Sequence, residues 1–205
     1  MTVLLPTAYL PSISYVAACV AADELWIEAW ETYPKQTIRN RCEIMGPNGL
    51  QILSIPVSKP DGNRTKTKDI RIAHHLPWQK IHWRSFEAAY NKSPFFLYYQ
   101  DYLLPYYSKE FTFLLDFNQQ LLETLFRAIR LDKAVTLTET YEKEVPGVTD
   151  LRQLSGIRHQ TNRYPEYYQV FADRNGFLPD LSIVDLLFNL GPESTDFFVI
   201  LHSLI

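Results

Sequence analysis

The chain has 205 residues, 46% of them hydrophobic and 21% charged, with a formal net charge of -3. That length can close one core without metals or disulfides, so a single domain over residues 1–205 is expected, and the slight acid excess lacks the basic footprint of a nucleic-acid binder. Two cysteines, Cys19 and Cys42, are too few for a disulfide framework or a zinc site, and no run approaches the ~20 apolar residues of a membrane span. The opening residues lack the basic start of a signal peptide, which points to a cytoplasmic protein.

Val3–Leu5 is a short apolar run closed by Pro6, the pattern of a short buried strand. The loop "LPTAYLPSISY" follows, and Ser12 or Ser14 is placed to cap a helix running to about Ala22. "ELWIEAW" alternates Leu25, Ile27 and Ala29 with Glu24, Trp26 and Glu28, the period of a strand. Strand, loop, helix and strand in that order form a βαβ unit, which puts the proline-rich loop at the carboxyl end of the first strand, where α/β sheets bind ligands. Arg41–Met45 and Leu50–Val57 flank a Gly-Pro-Asn-Gly turn as a hairpin, and "DIRIA" is a further short strand beyond a basic, turn-rich loop.

A helix of about thirteen residues is expected to begin near Pro77 and stop before Pro94. "FFLYYQDYLLPYYSKEF", interrupted by Pro105, reads as one short helix and a turn. Lys109–Arg130 carries the helical period, "AVTLTETY" reads as a strand, and residues 145–176 as mostly loop with a helical turn near Asp150–Leu154. Ser182 and Asp185 form a capping-box pattern that Gly191-Pro192 closes, and "DFFVILHSLI" reads as a terminal helix or a buried strand. The fold class is therefore α/β, with a mixed sheet opened by the strand–loop–helix–strand unit and a helix-rich C-terminal half.

His74, His75 and His82 invite a metal reading, but adjacent histidines point apart and no carboxylate or cysteine stands at ligand spacing, so no metal is expected. His82 falls between Trp78 and Phe86 at helical spacing; it is a core histidine or a general base. Lys35, Arg39, Asn40 and Arg41 follow the second strand and share a sheet end with Tyr9 and Tyr15, composing either a solvated turn or a pocket for a phosphate, carboxylate or nucleotide-sugar diphosphate. Glycine-rich phosphate loops, nucleophile elbows and zinc-binding His-Glu-x-x-His motifs are all absent from the sequence, so no cofactor is expected.

"LPTAYLPSISY", "DELWIEAWETYPKQTIRNRCEI", "WQKIHWRSFEAAYNKSPFF" and "GFLPDLSIVDLLFNLGPE", in that order, together resemble the WbqC-like family. Pro6, Pro11, Ile13 and Tyr15 match its first block, whereas Leu5, Thr7 and Ser14 replace Gln, Tyr and Gly. Asp23, Lys35, Asn40 and Arg41 match the second block; His82, Tyr90, Lys92 and Pro94 match the third. Leu181, Ser182, Asp185 and Gly191 match the last, with Asp180 where the family commonly has Asn.

The resemblance implies a role in bacterial surface-polysaccharide (O-antigen) biosynthesis, with transfer of glycine or another small acyl or aminoacyl group to an aminosugar. On that reading His82 is the catalytic base and Tyr9, Tyr15, Lys35, Asn40, Arg41, Tyr90 and Lys92 bind a small-molecule or nucleotide-sugar ligand. The alternative is a non-catalytic ligand-binding or assembly protein of the same pathway that uses the tyrosines between Tyr98 and Tyr107. Nucleotidyl transfer ranks last, because the first loop carries tyrosines where such sites hold paired histidines.

Overall fold

The structure, a computed structural model, describes residues 1–153 and 164–204. β1 (Thr2–Pro6), α1 (Ile13–Ala21) and β2 (Glu24–Glu28) form the expected opening unit, and β1 and β2 pair in parallel. Ser12 is the N-cap of α1, its side chain accepting the Tyr15 N–H. β3 (Arg41–Gly46) and β4 (Gly49–Ser54) make the hairpin, and β5 (Val57–Ser58) pairs with β6 (Arg71–Ile72) in a second antiparallel ribbon. Three long helices follow, α2 (Trp78–Tyr90), α3 (Phe96–Ser108) and α4 (Leu114–Ala128). β7 (Val135–Leu137), β8 (Val148–Asp150), α5 (Ala172–Asn175), α6 (Ile183–Leu190) and α7 (Ser194–Leu204) complete the elements.

The fold class is α/β. The main sheet has the order β7-β2-β1-β8 and is parallel throughout; the antiparallel pairs stand in separate two-stranded sheets. Val3 and Leu5, with Leu25 and Ile27, turn one face of the sheet onto Tyr15 and Cys19 of α1 and Leu115, Leu122 and Phe126 of α4. The other apolar side of α4, Leu114, Phe117, Leu121 and Leu125, enters a larger core shared with the hairpin, α2, α3 and α6. α4 is thus wedged between two cores, which its long apolar period makes possible. No helix among the described residues is long and apolar enough to cross a membrane.

Three elements depart from the sequence reading. α3 runs through Pro105 because that proline sits in the last turn on an exposed face, where the carbonyl it frees meets water. α4 begins at Leu114, five residues later than Lys109, because the preceding stretch is captured as an extended edge: Ile72 donates to the Thr112 carbonyl and Leu114 to that of Ile70. Residues 148–150 form β8 beside β1, where a loop was expected; Arg152 and Gln153 turn beyond it, and the rest of that expected loop, including Leu154, lies partly outside the described residues.

Candidate functional site

A cavity of about 610 Å3 opens where the loops after β1 and β2 meet the hairpin. Residues 9–12, 36–38 and 41–43 line it, together with Leu50, Ile52 and residues 178–182. Backbone hydrogen bonds fix these walls to one another. Tyr9 donates to the Ile38 carbonyl (2.9 Å), Ser182 to that of Glu43 (2.8 Å), and Ile183 to that of Pro11 (2.8 Å). The Ser182 hydroxyl donates to the Leu10 carbonyl at 2.8 Å.

Four non-glycine residues among those described have positive φ: Leu10 (40°), Gln36 (57°), Arg130 (57°) and Asp180 (53°). Arg130 directly follows the C-cap of α4, where a left-handed residue commonly ends a helix. The other three line the cavity. Left-handed backbone costs a non-glycine residue of order 1–3 kcal/mol and gathers at binding and catalytic sites; here one such residue stands in each of the three loop segments that meet the hairpin at the cavity.

The wall chemistry is mixed. Arg41 and Glu43 lie two residues apart on β3, and neither forms an ion pair among the described residues. The Arg41 Nε is buried without a hydrogen-bond partner. Asp180 is 9% exposed, and its two carboxylate oxygens accept the Ser14 N–H (2.7 Å) and the Ser14 hydroxyl (2.8 Å). Burial pushes its pKa up to about 6 against those bonds, and the neighbouring Glu43 charge adds to the rise. Leu50 and Ile52, both exposed, make an apolar lip.

Of the residues expected to bind or catalyse, Tyr9 and Arg41 line the cavity. His82 is 3% exposed and reaches it only through Tyr9, whose hydroxyl lies 2.8 Å from the imidazole Nδ1 and 2.7 Å from the Tyr107 hydroxyl. Burial lowers the His82 pKa to about 4, so its ring is neutral at pH 7 and can accept the Tyr9 proton in a hydrogen bond. Tyr15 packs in the sheet core with its hydroxyl on the Pro6 carbonyl (2.8 Å). Asn40 donates from Nδ2 to the Ile55 carbonyl (2.9 Å), and Lys35 and Lys92 are exposed away from the cavity lining. Cys42 lines the cavity, but burial holds its thiol pKa well above the ordinary value, so it is not a poised thiolate.

Tyr90 serves a different centre. With Tyr167 it donates to Asp185, at 2.8 and 2.6 Å, and Gln169 adds a third donor at 3.0 Å. The expected capping-box role for the Asp185 side chain gives way to this network; its backbone N–H still bonds the Ser182 carbonyl. Burial raises the Asp185 pKa to about 6 despite the three donors. Sequence reasoning missed Ser12, Glu43 and Asp180 as cavity residues. "PDLS" signalled a helix start, and nothing in its pattern showed that the preceding aspartate would face the first loop.

The first two strand ends of a parallel sheet frame a partly buried cavity of mixed charge, the place where open α/β sheets bind ligands. The chain belongs to the WbqC-like protein family, whose model matches residues 7–154 and 152–197. It is also 27% identical over 219 aligned positions to an uncharacterized protein of Mycobacterium tuberculosis, covering 92% of this chain and 93% of that one. No solved structure matches the chain significantly.

Proposed function

We propose that the chain is a cytoplasmic transferase of bacterial surface-polysaccharide (O-antigen) biosynthesis that attaches a small acyl or aminoacyl group, such as glycine, to an aminosugar precursor in this cavity. The observation that carries the reading is Arg41, which lines the cavity and forms no ion pair among the described residues. Such a donor matches the phosphate or carboxylate of an anionic sugar precursor. In the transfer the sugar amine bonds to the acyl carbon, the bond from that carbon to the donor's leaving group breaks with its electrons going to the leaving group, and the amine proton passes to the departing group or to water. Tyr9 is fully buried behind the cavity wall, where His82 and Tyr107 hold its hydroxyl and so fix the first loop.

Incubating the purified chain with an activated acyl donor and a nucleotide-linked aminosugar tests this by mass spectrometry. A sugar product heavier by the acyl group, absent with Arg41→Met, supports the reading; an unmodified sugar across a panel of donors overturns it. The second reading, a non-catalytic binding or assembly protein, is favoured by the exposed Leu97, Tyr98 and Tyr102 of α3. It expects ligand-dependent thermal stabilisation with no turnover, and a ligand at a hundred times its Kd adds roughly 2.7 kcal/mol.

A further inference from the structure

We propose that the cavity holds a molecule carrying both an anion and a primary ammonium, the anion on Arg41 and the ammonium between Glu43 and Asp180; this rests on the cavity being the substrate site. Arg41 and Glu43 project from the same face of β3, separated by about 7 Å along the strand. Neither is paired with the other or with any other described charge. Charges of opposite sign on one partly buried wall are costly when uncompensated, and a ligand bearing both complements relieves them together.

Asp180 stands in the adjoining segment, whose Ser182 N–H bonds to the Glu43 carbonyl. Its left-handed backbone, its two bonds to Ser14 and a further bond from the Ser12 hydroxyl fix the carboxylate, and two carboxylate oxygens together offer about four acceptor sites, more than these three donors fill. The Glu43 charge acts unfavourably on the nearby Asp180 carboxylate, and a cation between them removes that repulsion. No described lysine or arginine pairs with either carboxylate. The volume of about 610 Å3 fits a sugar- or amino-acid-sized molecule, and the Leu50–Ile52 lip can cover its apolar side. An aminosugar phosphate and a free amino acid share this chemistry.

Titration calorimetry on the full chain at pH 7 separates these cases, with glucosamine 6-phosphate, glucose 6-phosphate and glycine as probes. Glucosamine 6-phosphate is expected to bind at least about tenfold tighter than glucose 6-phosphate, the worth of one charge-assisted hydrogen bond. Glu43→Gln should erase that preference, while Arg41→Met weakens binding of both phosphates. Glu43→Gln keeps the shape of the side chain and the backbone bond from Ser182, and a thermal melt verifies that it folds. Displacement of the sugar by millimolar glycine assigns the site to an amino acid; failure to displace assigns it to the sugar. Equal affinity for the two phosphates, a preference that survives Glu43→Gln, or no binding of any probe overturns the proposal. Amine preference without acyl transfer leaves this site standing and removes the transferase reading; transfer without amine preference does the reverse.

Discussion

Replacing Asp185 with Asn alters how stability depends on pH more than it alters stability at any one pH. An acid whose folded-state pKa lies above its unfolded value keeps its proton longer when folded. The advantage is full below the unfolded value and is lost as pH climbs through the folded one. For Asp185 the two values are 3.8 and about 6, so the window spans roughly pH 4 to 6. Integrated over the titration, the wild-type chain loses about 2 kcal/mol relative to the Asn variant between pH 4.5 and pH 7.5. The Asn variant disturbs the bonds from Tyr90, Tyr167 and Gln169 by an amount nearly independent of pH, so the slope carries the test. His82, whose pKa falls to about 4 on folding, acts in the opposite sense across the same window and cancels in the difference. Urea midpoints of both proteins at pH 4.5, 5.5, 6.5 and 7.5 supply the comparison. Parallel curves, or a variant that falls behind as pH rises, would refute the assignment of a desolvated carboxylate.

Arg152→Met should cost about 3–5 kcal/mol, because Glu28 is 1% exposed and loses its cation at 3.0 Å; Glu28→Gln added to it should recover part of the loss in denaturant melts. Tyr9→Phe leaves the His82 Nδ1 and the Tyr107 hydroxyl without their shared partner and is expected to lower stability by about 1–3 kcal/mol; an unchanged melting temperature contradicts these two hydrogen bonds. Gln36→Gly relieves an exposed left-handed residue and should be neutral or stabilising by up to about 1 kcal/mol, and a clear loss of stability argues against that backbone strain. Binding of an ammonium ligand should weaken below pH 6 as Asp180 gains a proton in the company of Glu43, Ser12, Ser14 and Tyr164, measured with glucosamine 6-phosphate at pH 5 and 7.

Local rules were enough for the elements that obey them: Ser12 caps α1, α2 spans its thirteen residues, and the Gly-Pro-Asn-Gly turn closes the hairpin. Long-range capture defeated them elsewhere. Phe111–Phe113 fits a helical period, yet its neighbours bond to the β6 region, and residues 148–150 become a strand because β1 offers them a free edge. The site divides the same way. Tyr9 and Arg41 were visible as residues just beyond strand ends, whereas Glu43 and Asp180 meet only through the Ser182 to Glu43 bond and a left-handed aspartate that no pattern announces. Tyr90 and Asp185 show the converse, since both match the family blocks and yet bond each other inside the core.

The stapling of residues 178–182 to residues 9–12 and 43 also governs when the site comes into being. During synthesis the first loop and the hairpin emerge early, but the wall bearing Asp180 leaves the ribosome only after all the intervening helices. Ligand capture therefore requires the chain through residue 182, and a product arrested before Asp180 lacks that wall.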